Sequence, residues 1–150
     1  MPTNESGRGS RENPVPLGEI ARIGDWEVAV VACDDDAWEG LQEHGRFNSP
    51  PADGFRDVMI TISATYLGET SSDPQRAFRW AVVGSGGNTF DDMGEGRIVR
   101  FPTPLRRQGE TFSGGSISGN VGASVPVDQI DGATVWLRSR KSDRVFFALQ

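Results

Sequence analysis

The stretch Trp26-Glu-Val-Ala-Val-Val-Ala-Cys33, followed directly by Asp34-Asp35-Asp36, admits two readings that lead to different molecules. Val30-Val31-Ala32-Cys33 has the outline of a lipoprotein processing site, in which a short apolar run leads into a lipidated cysteine. A secretory apolar segment, however, needs about 7 to 15 uncharged residues behind a basic start. Asp25 and Glu27 interrupt the approach, and the uncharged run extends only from Val28 to Cys33. The same residues suit a β-strand. Trp26, Val28, Val30 and Ala32 share one face at period two, with Ala29, Val31 and Cys33 on the other. Both faces are largely apolar after Glu27, which predicts a strand buried between two layers. Cys33 then reads as a small buried hydrophobe, because nothing basic adjoins it to lower its pKa.

Working outward, period two continues. Val58, Ile60, Ile62, Ala64 and Tyr66 alternate with Met59, Thr61, Ser63 and Thr65. Ile117, Gly119, Val121, Ala123, Val125 and Val127 alternate with Ser116, Ser118, Asn120, Gly122 and Ser124, whose small side chains predict a solvated outer face. Shorter strands are expected at Phe78 to Val83, Arg97 to Phe101, Ala133 to Arg138 and Arg144 to Leu149, with Gly18 to Ile23 as an edge. Turn formers separate them: Gly24-Asp25, Ser49-Pro50-Pro51, Gly84-Ser85-Gly86-Gly87-Asn88, Pro102-Thr103-Pro104 and Asp131-Gly132. Only Ala37 to His44 reads as a helical turn, through Trp38 and Leu41 at i and i+3. Trp26, Trp80 and Trp136 read as core or half-core. The expected fold is therefore all-β, an antiparallel immunoglobulin-like β-sandwich of about seven to nine strands.

The chain of 150 residues suits one domain, with residues 13–150 folded and residues 1–12 a flexible tail or linker. That tail, MPTNESGRGSRE, looks like the stretch between a membrane anchor and a folded domain, so a leader or lipid anchor is expected upstream of it. No run approaches the roughly 20 apolar residues of a membrane-spanning helix. A net charge of −6 argues against nucleic acid or an anionic membrane as partner. Arg106-Arg107 and Arg138-x-Arg140-Lys141 are too dispersed in the sequence to reverse that.

Several motifs together resemble a known family. These are Asn13-Pro14-Val15-Pro16-Leu17-Gly18-Glu19 entering a strand, then Gly24-Asp25-Trp26-Glu27-Val28, then Pro50-Pro51-Ala52-Asp53-Gly54-Phe55 before the long strand. Gly114-Gly115 and Gly119 before Val125-Pro126 complete the set. In this order they resemble the telokin-like, immunoglobulin-fold domain of unknown function found in bacterial secreted proteins and lipoproteins, over roughly Asn13 to Leu149. The resemblance implies a β-sandwich, an extracytoplasmic location behind a signal or lipid anchor, and no established catalytic residues. The acidic segment Asp34 to Asn48 is an addition to that pattern. On the residues alone, Pro14 and Pro16 suit a chain joining a sheet at its edge, and the glycines suit turns, bulges or close backbone approach.

A catalytic inventory finds no assembled set. The only histidine, His44, lies in a polar loop, no Gly-x-Ser-x-Gly elbow is present, and Gly84-Ser85-Gly86-Gly87 lacks the Lys-Ser/Thr and helix of a phosphate-binding loop. The domain is expected to be non-catalytic and to carry no cofactor. Two clusters remain. Asp34, Asp35, Asp36, Glu39 and Glu43, joined by Asp91, Asp92 and Glu95 if the loops meet, are either a solvated face or oxygen ligands for calcium. Trp38 and Phe47 are either plugs against the sandwich or exposed anchors for a partner. The expected function is an interaction module at the cell surface whose 34–48 loop meets a protein or glycan. The alternative is a calcium- or carbohydrate-binding domain at that loop.

Overall fold

The structure is a computed structural model in which residues 8–150 are described. The strands are β1 (Ile20–Ile23), β2 (Trp26–Asp34), β3 (Phe55–Tyr66), β4 (Ser71–Ser72), β5 (Arg79–Val83), β6 (Thr89–Phe90), β7 (Thr111–Phe112), β8 (Ser116–Pro126), β9 (Thr134–Arg138) and β10 (Val145–Ala148). Two short helices, α1 (Trp38–His44) and α2 (Pro74–Ala77), lie on connections, as do single 3-10 turns at Leu105–Arg107 and Val127–Gln129. One sheet has the order β1-β2-β3-β8 and the other β10-β9-β5-β6, with β4 paired to β7 apart from both. Every strand pair is antiparallel, so the chain is all-β.

The alternation in β3 translates directly into packing. Val58, Ile60, Ile62, Ala64 and Tyr66 are buried while the residues between them are half-buried. Their core face meets Val28 and Val30 of β2, Val121 to Val125 of β8, and Val82, Val135, Leu137 and Phe147 of the second sheet in one continuous cluster. Each fully buried Val, Ile, Leu or Phe removes enough apolar surface from water to contribute about 1.5–3 kcal/mol. Trp26 anchors one end of this core, with its ring 5.1 Å from Tyr66 and 5.2 Å from Phe78. Trp80 and Trp136 are half-buried, as read from sequence.

Strand β2 departs from strict alternation. Val30 pairs with Ile62 and Ala32 with the next residue, Thr61, so Val31 is the extra residue of a β-bulge. The bulge reverses the phase: Ala32 turns outward and Cys33 turns in against the core, opposite to the faces expected for them. Nor is β2 covered on both sides, since Glu27, Val31 and Ala32 are exposed. Cys33 is half-buried, packed against the core instead of within it. Desolvation, reinforced by Asp35 and Asp34, pushes its thiol from the ordinary value of 9.0 to about 12.

The turns follow their sequences. Gly24 takes φ +57 in the two-residue loop between β1 and β2, and Asp25 does not share the positive φ, which is the pattern of a type II′ hairpin. The Gly84 to Asn88 segment closes the β5–β6 hairpin through Gly84 N–H to Asn88 C=O at 2.8 Å. Val15, between its two prolines, makes a single parallel bridge to Phe147, where it donates to Phe146 C=O and accepts from Ala148 N–H. The prolines limit the ladder to that one residue.

Other expectations are corrected as well. Residues 8 to 12, assigned to the tail, are tied to the body: Gly9 C=O accepts from Phe146 N–H at 2.7 Å and Arg8 pairs with Glu19 at 2.7 Å. The rest of the expected tail lies outside the described residues. Helix α2 is an addition, set by Asp73 capping Gln75 N–H and by Pro74 in its first turn. Finally, Arg97 to Phe101 is no strand, for reasons that shape the site below.

Candidate ligand-binding site

The small side chains on one face of β8 predict that it is solvated. Ser116 and Ser118 are exposed, but Gly122 and Ser124 are buried beneath the connection from β6 to the 3-10 turn at Leu105–Arg107. That connection runs along the free edge of β8, where Ser124 N–H reaches Asp92 C=O and Asn120 N–H reaches Thr103 C=O, both at 2.8 Å. Pro102 and Pro104 have no N–H to extend a ladder. The Asn120 amide holds the crossing from both sides, accepting from Thr61 and donating to Pro102 C=O at 2.6 Å. Phe101 lies over Gly122, where a Cβ would come within 2.5 Å of its ring. Gly119 has the close approach expected of it, with a Cβ position 2.5 Å from Leu105 Cα. An exposed sheet edge is thereby covered.

Within this connection Arg97 to Phe101 still alternates, with Ile98 and Arg100 exposed and Val99 and Phe101 half-buried. Its partner is a side chain instead of a strand. The Asn48 amide accepts from Arg100 N–H at 2.8 Å and donates to Arg100 C=O at 3.1 Å and Leu41 C=O at 2.7 Å.

A buried ion pair fixes the arrangement. Asp57, on the outward phase of β3 and 0% exposed, takes a bidentate contact from Arg97 at 2.7 and 2.9 Å. The same guanidinium donates to Met93 C=O and Ser49 C=O. Asp57 C=O accepts from Ala37 N–H, so one residue of β3 ties together the start of α1, the 45–53 loop and the 91–104 connection. The Arg97 Nε is buried with no hydrogen-bond partner. Bidentate pairing of this kind fixes orientation as well as charge.

Two concavities open beside this pin. The larger, about 590 Å³, has Asp91, Asp92 and Trp80 among its walls. The smaller, about 260 Å³, is lined by His44, Thr103 and five residues it shares with the larger: Arg100, Phe101, Pro104, Arg106 and Arg107. Among the described residues the guanidinium groups of Arg100, Arg106 and Arg107 make no hydrogen bond or ion pair. Thr103 holds φ +42, a conformation costly for a β-branched residue. Ile98 and Phe47 stand on the surrounding loops at 74% and 80% exposure.

The residues singled out from sequence fall differently. Asp34, Asp35, Asp36 and Glu39 are exposed at the end of β2 and in α1, and Asp34 Oδ1 caps Asp36 N–H. Asp91 and Asp92 lie on the other connection, where Asp92 Oδ1 accepts from Gly94 N–H. Among the described residues no group of three or more His, Cys, Asp or Glu side chains gathers as a metal site. Trp38 is half-buried, while Leu41 is the residue α1 buries and Ala37, at its N-cap, is buried beside it. Phe47 is the exposed aromatic. Sequence reading missed Asp57, which looked like one more outward residue of a strand. It also set aside Arg106-Arg107, which the Pro102–Pro104 turn brings onto one cavity with Arg100.

No family profile matches the chain, and no curated protein matches it. Two solved structures share its fold. A conserved hypothetical protein from Bacillus anthracis superposes with a TM-score of 0.55 at 8% identity, covering 89% of this chain and 95% of that one. The YjhA protein from Bacillus subtilis gives 0.52 at 12% identity, covering 91% and 99%. At such identities the likeness is one of fold, over nearly the whole of each chain.

Proposed function

We propose that this chain is a non-catalytic, immunoglobulin-like binding domain of the telokin-like type, displayed outside the cytoplasm and contacting a protein or glycan at the cell surface. The motifs from Asn13 to Pro126 support the family and the location, and two sheets around one core support the sandwich. The binding face is the one built by the 45–53 loop and the 91–104 connection, displacing the acidic 34–48 loop as the centre of interest except for its end at His44 to Asn48.

One observation carries this reading: the buried Asp57–Arg97 pair ties two otherwise irregular loops together beside a concavity, with Ile98 on its wall and Phe47 exposed on the 45–53 loop. Loops preset on a rigid scaffold are where such folds bind, and exposed large apolar side chains on fixed backbone lose little entropy on contact. The test is capture of partners from a cell-surface extract by the wild-type domain and by Phe47→Ser/Ile98→Ser, with Trp38→Ala in parallel. Loss of the captured species in the first variant supports the proposed face. Unchanged capture there, with loss in Trp38→Ala, returns the function to the acidic loop.

A further inference from the structure

We propose that the smaller cavity is a subsite for an anionic sugar, a glycan unit carrying phosphate or carboxylate; this names the ligand class of the binding face above and rests on that reading. The charge pattern is the first ground. In a chain with 21 acidic and 15 basic residues, this cavity is walled by three arginines and the only histidine and by no carboxylate. Among the described residues Arg97 and Arg8 are held in ion pairs. Arg100, Arg106 and Arg107 have none among the described residues. An oxyanion in this cavity can accept bidentate hydrogen bonds from the guanidinium groups that line it.

Shape and wall chemistry narrow the class. A volume near 260 Å³ falls below the range of about 300–1,000 Å³ usual for drug-sized ligands, so it admits one small charged unit at a time. It is a recess, unlike the broad surface of about 800 Å² per partner that a stable protein complex uses. Half-buried Phe101 and Pro104 supply an apolar wall for the C–H face of a sugar ring beside the guanidinium groups. The shared residues join it to the larger cavity, whose walls also carry Asp91 and Asp92, so the wall without carboxylates is confined to the smaller one. Arg106 and Arg107 are exposed and bear no structural hydrogen bond through their side chains, which leaves them free to serve the ligand.

The experiment is calorimetric titration of the full chain at low salt with glucose 1-phosphate, oligogalacturonate, neutral maltotriose, polyglutamate and phosphatidylglycerol vesicles. The expected result is binding of the two anionic sugars and not of maltotriose, weakened about tenfold or more in Arg106→Ala/Arg107→Ala, since hydrogen bonds to charged groups are individually worth that much. Raising salt should weaken it as well. The control Arg138→Ala/Arg140→Ala removes equal charge elsewhere and should bind as wild type, and matched melting curves would show all three proteins folded. No binding of either anionic sugar, or binding indifferent to Arg106 and Arg107, overturns the subsite. Equal binding of maltotriose overturns the charge argument, and a preference for polyglutamate or vesicles overturns the sugar. None of these outcomes touches the Phe47 and Ile98 capture experiment, so the two readings fail separately.

Discussion

Replacing Asp57 with alanine tests the pin on which the proposed site depends. The carboxylate is fully buried and the Arg97 side chain is 10% exposed, so the substitution leaves a desolvated guanidinium with only the carbonyls of Met93 and Ser49 as acceptors. Removing one partner of a buried pair costs about 3–5 kcal/mol, because the remaining charge is neither hydrated nor compensated. A domain of this size is stable by about 5–15 kcal/mol and shifts by about 2–4 °C per kcal/mol, so the melting temperature should fall by about 6–20 °C. Asp57→Leu combined with Arg97→Met should recover most of that loss, since an apolar pair of similar volume removes the stranded charge. The double variant should still lose the binding face, because the 45–53 loop and the 91–104 connection are no longer held together. Urea titration of the three proteins, with the slope m compared, gives the energies. A single Asp57→Ala variant within about 1 kcal/mol of wild type would mean that Arg97 reaches water on its own, and the pin would be decorative.

Other perturbations follow from particular contacts. Asn48→Ala removes the amide that stands in for a strand opposite Arg100 and should cost about 1–3 kcal/mol by chemical denaturation, with faster exchange of the Arg100 amide as its local signature. Gly119→Ala sets a Cβ 2.5 Å from Leu105 Cα and 2.8 Å from its nitrogen, backbone atoms that cannot swing aside; overpacking of this kind costs about 1–3 kcal/mol, and a melting temperature equal to wild type would contradict the close approach. Trp26→Ala empties the end of the core beside Tyr66 and Phe78 and should cost about 3–5 kcal/mol. Cys33, with its thiol raised to about 12, should resist iodoacetamide at neutral pH in the folded state and react on denaturation. Because the folded value lies above the ordinary 9.0, its contribution to stability is complete below about pH 9 and is lost as pH climbs toward 12, so Cys33→Ala should flatten the alkaline limb of the stability profile.

The strands were legible where one face is buried and the other is not. Val58 to Tyr66 carries its faces in its own side chains, whereas in β8 only the inward face of Val121, Ala123 and Val125 was legible, because the connection that buries Gly122 and Ser124 is a tertiary contact. The Val31 bulge was not legible, since Val30-Val31-Ala32-Cys33 is apolar throughout and either phase satisfies it. Only the register against Ile62 and Thr61 decides that Cys33 goes inward. Helix α2 had a readable signal in Asp73-Pro74, a cap followed by a proline, but four residues give no periodicity to confirm it. Arg97 to Phe101 had the alternation of a strand. What it lacked was a backbone partner, and partners are tertiary facts.

Asp57 was hidden for the same reason, and the consequence reaches the site. An aspartate on the outward phase of a strand is ordinarily solvated, so nothing local distinguishes it from Thr61 or Ser63. Its role comes from Arg97, forty residues away, crossing the sheet on a connection that had to pass beside β8 to cover that strand's edge. Covering the edge with a proline-rich connection instead of another strand leaves irregular backbone whose N–H and C=O groups need other partners, and side chains supply them: Asn48 for Arg100, Asn120 for Pro102, Arg97 for Met93 and Ser49. Such a connection does not lie flat against the sheet. It stands off far enough for Phe101 to fit above Gly122 and for a recess to open beyond it, where the turn through Pro102 and Pro104 swings Arg106 and Arg107 round to meet Arg100. Protection of a sheet edge and a cavity walled by cations therefore arise from one stretch of chain, and a variant that straightened it into a strand paired with β8 would have to give up both the turn and the recess.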